Sequence, residues 1–363
     1  MIYRAIGMMS GSSLDGMDIV YVEFEESGGK WSYNIVAVEC ISYDDSWLQR
    51  LRGADKLDAY EYMLLHTAYG RLIGEKINEF IEHNELHHKV QVIASHGHTV
   101  FHAPQQGMTA QLGDGAAIAA ITGINTVTDL RAMDVALGGQ GAPIVPMGEK
   151  ILLAGYDYYL NLGGITNISG SLNGDYIAFD VCPANRVLNM LAETEGKVYD
   201  DGGAIASAGS INTSLLTELN NEDYYKQPYP KSLANNFGTD VLYPLILSHH
   251  LSAADALRTY TEHIVQQVVY AINNSKLQTI NHKLLVTGGG TFNNFLIERL
   301  KNALAAFNIE VVVPDEKLVK FKEALIMALL GILRWREEYT VMHSVTGASR
   351  SSIGGAVWMG QEA

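Results

Sequence analysis

Residues 3–24, YRAIGMMSGSSLDGMDIVYVEF, decide how this chain is read. Tyr3–Met9 reads as a strand, SGSSLDG (10–16) as a turn, and Met17–Phe24 as a second strand in which Ile19 and Tyr21 alternate with Val20 and Val22. A turn of glycines and hydroxyls between antiparallel strands lets the backbone approach a ligand closely, with successive amides turned toward one anion. The same stretch carries two carboxylates, Asp15 and Asp18. A third strand at 33–43 completes a meander.

Working outward, apolar positions such as Leu48, Leu51, Leu65, Leu72, Ile73, Ile77 and Phe80 predict helix over 45–83. A buried strand, Val90–Ser95, then runs into HGHTVFHAP (96–104). A helix near 114–122, a strand at 125–129 and the connection ALGGQGAPIVP (136–146) follow. The second half restarts with a strand, Tyr156–Leu162, entering GGITNIS (163–169). A hairpin through Asn173-Gly174 leads to Tyr176–Phe179, with Asp180 at the strand end. Helices are expected at 184–196, 210–220, 240–249 and 253–275, then a strand, Lys283–Thr287, entering GGGTFNN (288–294). A strand near Glu310–Val313 and a long helix from Leu318 to Trp335 complete the pattern. Meanders alternating with helices, twice over, give an α/β protein of two related lobes. The expected division is 1–130 for the first lobe and 131–343 for the second, with the tail 344–363 packing back on the first.

The charge balance narrows the partners. With 25 basic and 40 acidic residues the formal net charge is −15, which repels a nucleic-acid backbone. Two cysteines, Cys40 and Cys182, make no disulfide framework. The start MIYRAIGMMSGSS lacks a signal-peptide pattern, and the longest apolar run, Ala324 to Leu333, is too short to cross a bilayer. A cytoplasmic protein with no membrane or nucleic-acid partner is expected.

Glycine is the informative excess, 35 of 363 residues against a usual share of about 7 %. Three glycine loops each follow a predicted strand: 10–16, 163–167 and 288–290. No GxxxxGK[ST] loop, GxSxG elbow or strand-to-helix GxGxxG occurs, which removes the P-loop, α/β-hydrolase and ordinary dinucleotide readings. Hydroxyls at Ser10, Ser12 and Ser13 in the first loop, and Thr166 and Asn167 in the second, suit phosphates that Mg²⁺ rather than lysine neutralises. The third loop opens a helix, where amides face purine or phosphate. Two phosphate loops in two lobes with a third strand–GGG–helix loop match actin-like ATPases.

The resemblance narrows further to one family. GMMSGSSLDGMD (7–18), SHGHTVFHAP (95–104), TDLRAMDVALGGQGAPIVP (128–146) and LNLGGITNIS (160–169) run in the order found in anhydro-N-acetylmuramic acid kinases. So do FDVCPAN (179–185), DGGAIASAG (201–209), YPKSLANNFG (229–238), TGGGTFNNFLIERL (287–300), KEALIMALL (322–330) and SVTGAS (344–349). The chain thus resembles that family over nearly its whole length. The resemblance implies a two-lobed actin-like ATPase (ribonuclease H-like) fold, each lobe a mixed sheet with flanking helices and the active site in the interlobe cleft. It implies a homodimer, and a reaction in which ATP, Mg²⁺ and water open a 1,6-anhydro sugar to N-acetylmuramic acid 6-phosphate and ADP, in peptidoglycan recycling.

Carried onto this sequence, the resemblance makes Asp180 the catalytic base that deprotonates the attacking water. It assigns Gly11, Ser12, Ser13, Leu14, Asp15, Gly16, Met17 and Asp18 to ATP and its phosphates, with Asp15 on Mg²⁺. Gly163, Gly164, Thr166, Asn167, Gly288, Gly289, Gly290 and Asn293 complete the nucleotide set, and His96, Arg131, Asn185 and Glu323 contact the sugar. An arginine suits a lactyl carboxylate. Asp129 and Asp134 flank Arg131, and a simple pairing with one of them is the plain alternative.

The chain departs from the family pattern in places. Val181, Cys182 and Ala184 stand where FDTGPGN has threonine and two glycines, so the pocket beside Asp180 is expected to be narrower or shifted. Asn189 replaces a usual aspartate, His98 a usual glutamine, and the glycine–arginine pair after PKS is missing. Two other readings stand beside the kinase: a non-catalytic nucleotide- or sugar-binding homologue, and a zinc hydrolase built on His96 and His98 of HGH-x₃-H.

Overall fold

The structure, a computed structural model, describes residues 1–11, 14, 16–229, 231–234, 236–275, 277 and 279–360. β1 (Ile2–Ser10), β2 (Met17–Ser27) and β3 (Lys30–Ile41) form an antiparallel meander. β4 (Val92–Ser95) lies parallel to β1 on its other side, and β7 (Thr126–Thr128) parallel to β4. β13 (Ala356–Trp358) closes that edge antiparallel to β7, giving the order β13-β7-β4-β1-β2-β3. A separate hairpin of β5 (His98–Ala103) and β6 (Met108–Leu112) follows β4.

The second sheet repeats the plan. β8 (Tyr158–Leu162), β9 (Ile165–Leu172) and β10 (Asp175–Pro183) form a meander, while β11 (Lys283–Thr287) runs parallel to β8 and β12 (Glu310–Val312) parallel to β11. The order β10-β9-β8-β11-β12 has the same sequence of first, second, third, fourth and fifth strand as β3-β2-β1-β4-β7. The β9–β10 hairpin turns at Asn173 (φ 53°) and Gly174 (φ 92°), the two positive angles that a tight hairpin needs.

Each sheet is half of a core. Leu65, Tyr69, Ile73, Ile77 and Phe80 fall on one face of the helix Ala59–His83 and bury against Ile6, Met8, Ile19 and Tyr21. Burial on this scale stabilises by about 1.5–3 kcal/mol per large side chain. The helical stretch expected over 45–83 comprises two α-helices, Asp45–Arg52 and Ala59–His83. Gly53 closes the first, and the Asp58 carboxylate accepts the Glu61 N–H at 2.8 Å to start the second. In the second half, Leu257, Tyr260, Ile264 and Val268 of the helix Ala253–Asn274 bury against Leu160, Leu162, Ile168 and Phe179.

The chain folds as two units, Met1–Ala154 with Phe321–Ala363, and Gly155–Lys320. The first crossing therefore lies later than the expected boundary at 130, and the returning segment begins at Phe321 rather than 344. Close packing explains the difference. A Cβ at Gly7 would meet Ala324 and Ala328, and one at Gly148 would meet Ile326, so the helix Glu316–Trp335 lies hard against β1 and against the helix Val145–Leu152. Lys322 and Glu149 join those two helices through an ion pair at 2.9 Å, each side chain 5 % exposed. Among the described residues, no helix is long and apolar enough to cross a membrane.

Candidate active site

In the first unit the site is built where β4 ends. Gly97, at φ 70°, turns the chain into β5 so tightly that a Cβ would meet the Leu112 carbonyl. That bend buries His96, whose Nδ1 donates to the Gly97 carbonyl at 2.9 Å and whose Nε2 accepts from Arg131 Nε at 2.8 Å. These partners fix the neutral tautomer. Burial, and then the Arg131 charge, push His96 down to about 3. Arg131 Nη1 donates to the Gly141 carbonyl at 3.1 Å. Burial lowers the guanidinium, and Glu323, half-buried on the helix Glu316–Trp335, opposes that shift.

The hydrogen-bond partners of Arg131 are thus His96 and Gly141 rather than its sequence neighbours, with the Glu323 charge acting on it through space. Asp134 is fully buried and accepts from the Gly141 N–H at 2.7 Å and the Thr346 hydroxyl at 2.7 Å, folding the glycine-rich connection onto the C-terminal segment. Asp129, at φ 56°, takes the Thr128 hydroxyl at 2.9 Å. His98 is buried beside the Gly11 carbonyl, with its Nδ1 unpartnered. The zinc reading fails at His96, because both ring nitrogens are already committed. Among the described residues, no group of three or more His, Cys, Asp or Glu could enclose a metal.

Of the first glycine turn, Ser12, Ser13 and Asp15 lie outside the described residues. The Leu14 N–H donates to the Gly11 carbonyl at 3.3 Å, and Leu14 has φ 58°. A Cβ at Gly16 would meet the Ile41 carbonyl and Cys40 Sγ. Met17 opens β2 and is buried in the core, while Asp18, the next residue, is half-buried opposite Met9 and Cys40.

In the second unit a polar row crosses four neighbouring strands. Thr287 pairs with Asn161, Asn161 with Asn167, and Asn167 with Asp180. Directly paired residues share a face, so this row lies opposite the face on which Leu160, Leu162, Ile168 and Phe179 bury. The strand does not end at Asp180: β10 continues to Pro183 through a bulge between Asp180 and Cys182. A bulge re-aims side chains and is common beside active sites.

Asp180 is held from several sides. Its N–H reaches the Lys231 carbonyl at 3.4 Å, its carbonyl takes the Tyr224 hydroxyl at 2.7 Å, and Oδ2 takes the Leu233 N–H at 2.8 Å. Among the described residues Oδ1 has no hydrogen-bond partner. Burial raises this carboxyl above the usual range, and the Leu233 N–H partly opposes the rise. The family departures next to it do not face a pocket. Val181, Cys182 and Ala184 are buried in the core at 2 %, 0 % and 0 % exposure, so their side chains pack inward rather than narrowing open space beside Asp180. Burial pushes the Cys182 thiol up to about 12, so it is inert.

The glycine loops of this unit meet around Asn185. The carbonyls of Gly163 and Gly164 accept the N–H groups of Asn185 at 3.1 Å and Ala184 at 2.9 Å, and the Asn185 amide donates to the Leu162 carbonyl at 3.0 Å. Asn185 thus serves the loop itself. Gly288 (φ 87°) and Gly290 pack so closely on β8 that a Cβ would meet Leu162 in either case. Gly289 and Gly164 are different: exposed, with no protein atom nearer a Cβ than Asn185 Nδ2 at 3.8 Å and Arg186 Cβ at 4.0 Å. Asn293 caps the helix Asn294–Ala305, its Oδ1 accepting the Leu296 N–H at 2.9 Å. Thr166 is fully buried, beside the Cys182 thiol. Asn161, Tyr224 and the Leu233 amide are additions that the sequence reading missed. The symmetry of Asn161 and Asn167 about Gly163-Gly164 was the available signal for the first of them.

Two sheets of one strand order, each with a glycine turn between its first and second strands, are the architecture of the actin-like ATPase (ribonuclease H-like) fold class. Within that class, residues 3–360 match the family model described as anhydro-N-acetylmuramic acid kinase, and the chain belongs to that family. It is 33 % identical to the enzyme of that name from Synechococcus elongatus, over 98 % of this chain and 99 % of the relative. The one from Sulfurovum is also 33 % identical, over 98 % and 99 %. Among solved structures, the activator of 2-hydroxyisocaproyl-CoA dehydratase from Clostridium difficile aligns at TM-score 0.46 and 14 % identity, covering 92 % of this chain and 96 % of its own.

Proposed function

We propose that this chain uses ATP and water to open 1,6-anhydro-N-acetylmuramic acid, giving N-acetylmuramic acid 6-phosphate and ADP, a step of peptidoglycan recycling. The observation that carries the reading is Asp180. One of its oxygens is fixed by a backbone N–H and the other has no partner among the described residues. Burial shifts it toward the range where a general base works. In this reading Oδ1 takes a proton from the water attacking the anomeric carbon. The bond from that carbon to O6 breaks, and O6 takes the γ-phosphoryl group.

Arg131 and Glu323 hold the sugar, with His96 keeping Arg131 in place. Gly164 and Gly289, which protein packing leaves open, give the nucleotide its close approach to the backbone. Mg²⁺ bound with ATP phosphates uses one or two protein carboxylates and keeps several waters. In sequence the turn 10–18 supplies Asp15 for that purpose, and Asp18 follows, half-buried, on β2, the two carboxylates such a site uses. The metal supplies charge neutralisation at the transferring phosphoryl group.

The test is a coupled ADP-release assay with the anhydro sugar against ordinary hexoses. Turnover confined to the anhydro sugar is the expected result. ADP release with glucose or N-acetylglucosamine, and none with the anhydro sugar, overturns the reading. Tight ATP and sugar binding with no turnover would assign the chain to the non-catalytic class.

A further inference from the structure

We propose that Tyr224 is a positioning residue that sets the Asp180 carboxylate; the inference rests on Asp180 being the base. Three contacts converge on this one tyrosine. Its hydroxyl donates to the Asp180 carbonyl at 2.7 Å. Its ring lies under the Lys231 ammonium at 4.6 Å, and its own carbonyl accepts from that ammonium at 3.4 Å. The Lys231–Leu233 segment is the same one that pairs with Asp180, through the Lys231 carbonyl and the Leu233 N–H. Tyr224 therefore ties the short helix Asp223–Lys226, the segment carrying the Leu233 donor, and the strand carrying the base into one unit.

The bulge makes such a tie necessary. Between Asp180 and Cys182 the ladder with β9 slips by one residue, so strand pairing does not fix the peptide after Asp180. That peptide is the one whose carbonyl Tyr224 holds. A second tyrosine pins the far end: the Tyr260 hydroxyl donates to the Pro183 carbonyl at 2.9 Å. Aromatic neighbours Tyr225 and Phe237, at 5.7 and 5.8 Å between ring centroids, keep the Tyr224 ring in place. Burial, and next the Asp180 charge, raise its hydroxyl far above the ordinary tyrosine range, so it stays a donor at any working pH. Rotation of the 180–181 peptide swings Oδ1 away from the attacking water, and small misplacements of a reacting group cost large factors in rate.

The test is Tyr224→Phe, which removes the hydroxyl and keeps the ring and its contact with Lys231. It is compared with Asp180→Asn and the double variant in the sugar-dependent ADP-release assay. Expected is a kcat loss of about 10–100-fold for Tyr224→Phe, an unchanged KM for ATP, a melting temperature within a few degrees, and no added loss in the Asp180→Asn background. Turnover of Tyr224→Phe within twofold of the parent, with Asp180→Asn inactive, overturns the positioning role and leaves the base standing. An equal loss in both backgrounds overturns it too, because Tyr224 would then act independently of Asp180. Near-normal turnover of Asp180→Asn refutes the base itself and the inference with it. Should Tyr224→Phe melt much lower, its kcat per active site, counted by bound ATP, decides between the same outcomes.

Discussion

One step beyond the core-facing row of each sheet, equivalent strands carry different side chains. In the first sheet that row is Met9, Asp18 and Cys40; in the second it is Asn161, Asn167 and Asp180. Each row holds one carboxylate, but on a different strand. Asp18 stands on the second strand, directly after its glycine turn, where the proposed function puts phosphate and metal. Asp180 stands on the third, away from the turn, where a bulge and three hydrogen bonds place it. On the proposed reading, the same scaffold serves an anion in one unit and supplies a proton acceptor in the other. What differs is which strand carries the acid and whether that strand is regular.

The largest expected effect breaks this contrast directly. Asp180→Asn keeps an acceptor for the Leu233 N–H but cannot take a proton. General-base loss costs about 10²–10⁴-fold in rate, read as kcat in the ADP-release assay. Stability should not fall, because the variant removes a buried charge whose pKa is raised. That group binds its proton more tightly folded than unfolded, so ionising it near neutral pH works against the fold. An active Asp180→Asn, or one that melts well below the parent, would make Asp180 a structural residue whose task is to hold the Leu233 N–H.

Much of this architecture is legible in the sequence. The strand Lys283–Thr287 is observed with the bounds expected, because its apolar run is fenced by His282 and Gly288. The bulge was hidden by its own composition: Val181 and Cys182 are both apolar and both buried, so no alternation is visible to break. The Asp180 partners Tyr224 and Leu233 lie 44 and 53 residues away, a separation that no local period encodes. The partners of Asp134 are hidden for the converse reason. Proximity in sequence makes a pair with Arg131 the plain alternative for Asp129 or Asp134, while the fold gives Asp134 to Gly141 and Thr346. β13 has only three residues, Ala356–Trp358, too few to show a pattern.

Both units also carry a buried neutral histidine, and acid should therefore weaken both. His96 in the first unit and His263 in the second are each pushed from 6.5 down to about 3, burial being the main cause. His263 is held neutral between the Tyr225 hydroxyl at 3.0 Å and the Asn220 carbonyl oxygen at 2.7 Å. Below pH 6.5 the unfolded chain takes up these protons and the folded chain does not, so stability falls as pH drops toward 3. At pH 5 the two together cost about 4 kcal/mol. Urea midpoints measured from pH 7 to pH 5 should decline. A flat profile would mean that one or both histidines are charged in the folded protein.

The proposed division of labour predicts opposite kinetic signatures. Arg131→Ala removes a sugar contact in the first unit, so the sugar KM should rise about 10–100-fold, from the loss of a charged hydrogen bond, with a smaller change in kcat. Asp180→Asn should do the reverse. Because His96 Nε2 and the Gly141 carbonyl lose their donor, Arg131→Ala should also melt lower. A sugar KM unchanged by this variant would remove Arg131 from the binding set.

The smallest expected effect separates glycines that packing needs from those a ligand needs. Gly288 has φ 87°, and a Cβ there would press on Asn161 and Leu162 of β8. Gly288→Ala therefore strains both the backbone and the β8–β11 contact, and should lower the melting temperature. At Gly289, next in the chain, a Cβ would find nothing nearer than Asn185 Nδ2 at 3.8 Å, and the residue is exposed. Gly289→Ala should leave stability within about 0.5 kcal/mol of the parent. Its cost should fall on the nucleotide, as a KM for ATP raised about fivefold to tenfold, the low end of the about 1–3 kcal/mol that one methyl in a tight pocket is worth. The sugar KM should stay unchanged. If Gly289→Ala bound ATP normally, the 288–290 loop would be a packing feature alone, and the nucleotide's approach to this unit would rest on Gly164.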